Sequence, residues 1–271
     1  MFQEAHSSFK SGSAQGYTNI PTIKAIPICF PPISHQQAVA TVLASLDDKI
    51  ELNRRMNETL EALAQSLFKS WFVDAIHSAI PKGWEVHGLD EIANFLNGLA
   101  LQKFPPNGDD SLPVIKIAQL RAGHTEGADR AGTNLAPQYI IENGDVLFSW
   151  SGSLLVDIWC GGRGALNQHL FKVTSDQFPK WFYYLWTRYH LAGFQNTAAD
   201  KATTMGHIQR HHLREAKVFV PPTAELDKID RQISPLVEKL IANNLESRTL
   251  AALRDAMLPK LLSGELRVPQ A

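Results

Sequence analysis

Cysteine is nearly missing from this chain of 271 residues: Cys29 and Cys160 are the only two, far apart and without Cys-x-x-Cys spacing. That excludes a disulfide framework and a zinc ribbon, and makes a reducing cytoplasm the expected location. No apolar run approaches the roughly 20 residues of a membrane span, and the start is polar without an apolar signal core, so no membrane association is expected. Charge of one sign is also lacking, since 26 Lys+Arg face 27 Asp+Glu for a net charge of -1. Any nucleic-acid surface must therefore be a local patch. Enzyme signatures are missing too. There is no Gly-x-x-x-x-Gly-Lys phosphate loop, no Asn-Pro-Pro-aromatic run, no dinucleotide fingerprint, no His-Glu-x-x-His pair and no Gly-x-Ser-x-Gly elbow. Neither catalysis by this chain alone, nor a metal site, nor a bound cofactor is expected.

What is present is an internal echo. Shifting the sequence by 190 residues lays Pro31-Pro32 on Pro221-Pro222, Leu46 on Leu236, Lys49 on Lys239 and Asn53 on Asn243. Thr59, Leu60, Ala62 and Leu63 then fall on Thr249, Leu250, Ala252 and Leu253 without a gap. A fixed-offset match this continuous marks a duplication. The arithmetic divides the chain into residues 1–30, 31–80, 81–220 and 221–271. The first piece reads as the tail of an upstream domain whose body would begin before Met1, through truncation of the amino end or a natural internal start.

Each copy opens on a short apolar stretch, 26–30 or 217–220, closed by a Pro-Pro pair that cannot donate to a ladder. A long helix should follow. In the first copy Ser34 is a candidate cap, and Leu43, Leu46, Ile50, Asn53, Asn57, Leu60, Ala64, Leu67 and Trp71 alternate spacings of three and four, a heptad seam. From 34 to 73 that helix is about 60 Å long at about 1.5 Å per residue. The second copy repeats the seam with Ile233, Leu236, Leu240, Asn243, Ser247, Leu250, Arg254, Met257 and Leu261. An asparagine on such a seam lowers stability but specifies register. Asn53 and Asn243 are therefore expected to meet in an antiparallel pair, with Pro235 kinking or delaying the second helix.

Between the copies the pattern shifts to short β-branched runs broken by Gly, Asn and Asp. Residues 114–117, 139–141, 145–149, 154–158 and 169–173 read as strands, Asn143-Gly144 and Gly161-Gly162 as turns, and 181–192 as a helix with an aromatic face. The fold class is α+β: a mostly β domain plus two long helices forming an antiparallel coiled coil. Three polar stretches in the β region carry side chains suited to phosphates and base edges. The first is Lys116, Gln119, Arg121 and His124. The second is Ser151 with Arg163 and Asn167. The third, basic and histidine-rich, is Lys201, Thr203, Thr204, His207, Gln209 and Arg210.

Several short runs carry a family resemblance. They are the polar stretch Gly12 to Gln15, Ile26-Pro27 leading to Pro31-Pro32, Gln36-Gln37, Leu60-Glu61-x-Leu63, and the closing Leu261-Leu262-Ser263-Gly264-Glu265-Leu266. Together with Gly144-Asp145-Val146-Leu147-Phe148 and Leu166-Asn167-Gln168-His169, they make the chain resemble the specificity (S) subunit of type I restriction-modification systems. The resemblance implies a non-catalytic subunit with one complete target recognition domain, 81–220, and two spacer helices. It implies double-stranded DNA, a modification methyltransferase subunit and a restriction (motor and nuclease) subunit as partners. S-adenosylmethionine is then bound by the methyltransferase, and two chains can combine as a homodimer to supply two recognition domains. On that reading Lys201 and Arg210 hold phosphates, while Gln119, Arg121, Arg163 and Gln209 read bases. The competing expectation is a coiled-coil assembly protein whose β domain binds protein.

Overall fold

The computed structural model of the chain describes residues 20–24, 31–76, 79–108, 110–200 and 206–268. The expected strand at 26–30, Cys29 and the polar stretch 12–15 lie outside them, as do Lys201, Thr203 and Thr204. The chain divides into two compact units, residues 47–253 and residues 1–46 with 254–271. The second contains α1 (Ile20–Lys24), the first turns of α2 (Ile33–Phe68) and the last turns of α7 (Thr223–Ser263). Val39 and Leu261 are its buried apolar residues among those described.

All nine expected seam positions of the first copy, eight on α2 and Trp71 just beyond its end, and all nine on α7, are buried or half-buried. That is what a 3.5-residue apolar repeat produces when two helices share it. In the larger unit the polar layer shows their direction. Asn53 Nδ2 donates to Glu246 Oε2 at 2.9 Å and Ser247 Oγ at 3.2 Å, while Asn57 Nδ2, one turn later, donates to Asn244 Oδ1 at 2.7 Å and the Leu240 carbonyl at 3.3 Å. Partners fall in number as α2 rises, so the helices are antiparallel.

The two seam asparagines do not meet side chain to side chain as the sequence reading expects. Asn53 reaches only the Asn243 carbonyl, at 3.4 Å, and Asn243 Nδ2 donates instead to Asn57 Oδ1 at 2.9 Å. The reason is symmetry. The 190-residue step exchanges the pair 53–247 with the pair 57–243, so the local two-fold passes between 53 and 57 and staggers equivalent residues by a turn. The Asn53 amide, with Lys49 behind it, holds the Glu246 carboxyl below its ordinary pKa.

Two more expectations need correcting. The first helix begins at Ile33, so Ser34 lies inside its first turn. Pro235 delays nothing, because α7 is helical from Thr223 onward and the proline falls on an exposed position within it. The loss there is one backbone bond, to the Arg231 carbonyl, on the helix face that water reaches.

The β region supplies three small sheets. β1 (Glu85–Gly88) pairs antiparallel with β10 (Lys217–Val220), joining the two ends of the region. A four-stranded antiparallel sheet runs β2-β9-β6-β7, from Asn94–Asn97, Leu170–Thr174, Val146–Ser149 and Val156–Ile158. A second sheet runs β4-β3-β8-β5, from Arg130–Ala131, Leu112–Ile115, Gly164–Leu166 and Ile140–Ile141, with β3 and β8 parallel. Short helices α3 (Leu89–Ile92), α4 (Ile117–Ala122) and α6 (Arg210–Glu215) connect strands. The expected aromatic helix is α5, and it is longer than its apolar pattern, Lys180–Asp200.

Where α2 ends the chain winds into a π-helix, Lys69–Asp74, which turns Phe72 fully inward. Its ring lies 5.5–5.7 Å from those of Trp84, Phe182 and Trp186. Three indoles pin the start of α7: Trp71 Nε1 donates to Gln232, Trp84 Nε1 to Glu225 at 3.0 Å and Trp181 Nε1 to Asp230 at 2.6 Å. The last two are charge-assisted, the stronger kind. Arg188 of α5 forms an ion pair with Glu61 of α2 and donates to Tyr184 Oη at 2.8 Å.

His190 of α5 stacks on Trp186 and sits with Nε2 2.8 Å from the Lys217 carbonyl, tying α5 to β10. Burial pulls its pKa below the ordinary 6.5, against the raising effect of that carbonyl. A histidine with a depressed folded pKa stabilises the fold above its unfolded value, and loses that contribution as pH falls through the folded one. Stability is therefore expected to decline on acidification from about pH 6.5. His190→Gln should flatten the decline in urea midpoints measured across that range, and an unchanged slope would reject the assignment.

Candidate nucleic-acid interface

α4 begins with a local cap: the Lys116 backbone N–H donates to Gln119 Oε1 at 3.3 Å, and Lys116 Nζ pairs with Asp129. Gln119 is thus engaged in starting its own helix. Arg121, in the last turn, is exposed and has no hydrogen-bonded or carboxylate partner among the described residues. Gly123 then takes a left-handed conformation and ends the helix, with its N–H on the Gln119 carbonyl at 2.8 Å. His124 follows, exposed, its Nδ1 accepting from the Glu126 N–H at 3.3 Å.

The second stretch, 149–153, is built inward first. Ser149 is buried, its hydroxyl within 3.2 Å of the Ser151 and Ser153 carbonyls, and Ser151 Oγ lies 2.9 Å from His169 Nδ1. Asn167 is 3% exposed, with Nδ2 on Gln168 Oε1 at 2.8 Å and Oδ1 accepting the His169 N–H at 3.2 Å. Ser151 and Asn167 therefore shape the loop from beneath; the exposed residues are Gly152 and Ser153.

Backbone bonds stitch the third stretch to the second. The Gly152 N–H donates to the Gly206 carbonyl at 2.9 Å, the Ile208 N–H to the Trp150 carbonyl at 3.0 Å, and Ser151 bridges His207. His207 and Gln209 are exposed. Arg210 turns back on the domain, its guanidinium 5.7 Å from the Phe171 ring centre with Nη2 on the Phe95 carbonyl at 3.3 Å. That leaves its charge near the surface and its donors partly used.

Arg121 joins these stretches. A cleft of about 470 Å³ is lined by Arg121, Gly152, Ser153, Gln195 and Gly206. On its other side Arg121 borders a larger cleft of about 680 Å³ with His124, Glu126, Asp157, Trp159 and Arg248. Arg163 is not part of this group: its guanidinium pairs with Glu142 at 3.2 Å. Its own loop is nonetheless close, because a Cβ on Gly161 would lie 2.3 Å from the Trp159 ring and 2.9 Å from the Gly123 carbonyl. Asp157 and Cys160 line the larger cleft, and desolvation raises both pKa values, that of Cys160 to about 11. The thiol is therefore protonated and unreactive at neutral pH.

Gln195 and Arg248 line these clefts but carry no signal in the polar stretches read from the sequence, whereas Ser153 belongs to the Ser149 to Ser153 stretch. The signal available for Arg248 was the repeat itself, since the residue 190 positions earlier is Glu58.

This combination of a paired-helix repeat and a β domain presenting polar loops recurs among known proteins. The chain belongs to the type I restriction modification DNA specificity domain family, whose model matches residues 1–62 and 81–254. It is 30% identical to the type I restriction enzyme MjaIX specificity subunit of Methanocaldococcus jannaschii, an alignment that covers 92% of this chain and 62% of that protein. The HindI specificity subunit of Haemophilus influenzae is 20% identical, over 90% of this chain and 70% of that one. Among solved structures, the S subunit of a type I restriction-modification system from M. genitalium shares the fold with a TM-score of 0.58 at 17% identity, over 96% of this chain and 69% of that one. This chain thus spans somewhat less than two thirds of the length of the archaeal relative. No helix among the described residues is long and apolar enough to cross a membrane.

Proposed function

We propose that the chain is a non-catalytic DNA-recognition subunit of a type I restriction-modification complex, with 81–220 as its target recognition domain. Phosphate contacts place the domain on the duplex, exposed side chains of the three stretches read base edges, and the helix pair carries a partner adenine methyltransferase and a restriction subunit to the site. S-adenosylmethionine belongs to the methyltransferase, and the place of action is the cytoplasm. A second copy of the chain would supply a second recognition domain. The observation that carries this reading is the convergence of the three stretches on the unpartnered Arg121 guanidinium, in a chain whose family is defined by DNA specificity.

Arg121 suits bidentate recognition of guanine, and the exposed Gln209 suits adenine. Gln119, Ser151 and Asn167 drop out as direct readers because internal bonds occupy them, and Arg163 is weakened by Glu142. The test is binding of the full chain to a pool of randomised duplexes across a salt series, followed by sequencing of the bound fraction. Binding should weaken steeply with salt. Arg121→Ala should lower discrimination at one base pair by about 1–3 kcal/mol while leaving the salt slope unchanged. Salt-independent retention, or none, would return the β domain to the protein-binding alternative.

A further inference from the structure

The two helices of the pair are not equivalent where α7 passes the β domain. On α2, Glu51, Arg54 and Glu58 pair among themselves. The residues 190 positions on are Ile241, Asn244 and Arg248, so a triplet with net negative charge becomes one with net positive charge. Arg248 is exposed and has no hydrogen-bonded or carboxylate partner among the described residues.

Its position is set by a glycine. Gly162 has φ +96°, and a Cβ there would lie 2.5 and 2.7 Å from Arg248 Nη2 and Nη1. The bare Cα therefore admits the guanidinium fork to a cleft that Arg121 and His124 also line. Two carboxylates also line that cleft. Glu126 is exposed on the loop after His124, and Asp157 spends one oxygen on the Ile158 N–H at 2.7 Å. Among the described residues neither pairs with an arginine, which leaves two guanidinium groups from different elements unpartnered at one cleft.

We infer that Arg248 is a DNA-backbone contact: the cleft between α4 and α7 takes a phosphodiester of the duplex, held by Arg248 from the helix side while Arg121 reaches the bases beside it. This rests on the DNA-recognition reading above and adds to it a contact made by the helix pair itself. A guanidinium suits this role because its fork meets two phosphate oxygens at once.

The experiment is the salt dependence of full-chain binding to the randomised duplex pool, with melting curves confirming that each variant is folded. Arg248→Ala should reduce the slope of log affinity against log salt by about 0.9, the contribution of one phosphate. Between about 50 and about 200 mM salt, the ratio of wild-type to variant affinity should therefore fall roughly 3.5-fold. The sequences selected should not change. Arg248→Lys should keep most of the slope, Arg248→Glu should lose more than alanine does, and Gly162→Ala should reproduce part of the alanine effect by displacing the fork. An unchanged slope in Arg248→Ala overturns the inference and leaves the DNA-recognition reading standing. A relaxed base preference that Arg248→Lys fails to restore also overturns it, by making the residue a positioning one. Absence of salt-dependent binding in the wild type overturns the recognition reading and this contact together.

Discussion

Phe72→Ala should lower unfolding stability by about 3–5 kcal/mol, the range for a large aromatic removed from a packed core. The ring is fully buried and lies within 6.1 Å of five others: Phe68, Trp84, Trp181, Phe182 and Trp186. Each tilted or edge-on pair adds to simple burial, and Trp84 and Trp181 are the indoles that hold Glu225 and Asp230 of α7. A cavity here loosens packing and those bonds together. Against a typical total of about 5–15 kcal/mol the loss is a large share. Urea unfolding followed by tryptophan fluorescence should show a clearly lower midpoint with the same denaturant slope. A shift worth less than about 1 kcal/mol would mean the cluster repacks, and the π-helix would then not be needed to aim this side chain.

Gly98→Ala is expected to be nearly as severe for a different reason. A Cβ at Gly98 would lie 2.2 Å from the Asn167 carbonyl oxygen, 2.5 Å from its carbon and 2.6 Å from the Leu166 carbonyl oxygen. All three are backbone atoms, so no side chain can swing aside. The surrounding backbone is itself bonded, with the Gly98 N–H on the Leu170 carbonyl and the Leu99 N–H on the Leu166 carbonyl, both at 3.0 Å. One added methyl group must move β8, β2 or the turn between β8 and β9, at about 1–3 kcal/mol or more. That turn carries Asn167 and His169, which support Ser151, so the candidate DNA loop should loosen as well. The expected result is a lower melting temperature together with faster amide exchange across 149–153. A melting temperature within about 1 °C of wild type, roughly half a kcal/mol, would contradict the clash.

Much of the helix pair was legible in the sequence because a heptad seam is a one-dimensional signal. Position on the repeat specifies the buried face, and all the seam residues named from spacing are covered. Strands β3, β5, β6, β7 and β9 are recognisable for the same reason, as local apolar or β-branched runs. What local pattern cannot carry is pairing at a distance. The parallel contact of β3 with β8 and the closure of β1 on β10 join residues roughly 50 and 130 positions apart. Neither strand of such a pair announces its partner. The π-helix at Lys69–Asp74 was invisible because its sequence, KSWFVD, suits an ordinary helix, and only the packing of Phe72 calls for the extra residue per turn.

The site divides along the same line. Composition identified which stretches carried arginine, histidine, serine and amide side chains, but Gln119, Ser151 and Asn167 look the same in sequence whether they face water or a neighbouring backbone. Residue order determined by itself that two equivalent helices exist and which stripe each buries, because helix period and apolar spacing are properties of contiguous residues. Tertiary structure alone decided that the local two-fold falls between Asn53 and Asn57, that Arg121 has no partner among the described residues while Arg163 is paired, and that Arg248 lines the same cleft as Arg121. Those outcomes depend on distances between segments far apart in the chain, and hydrogen-bond satisfaction and charge pairing are settled by such distances.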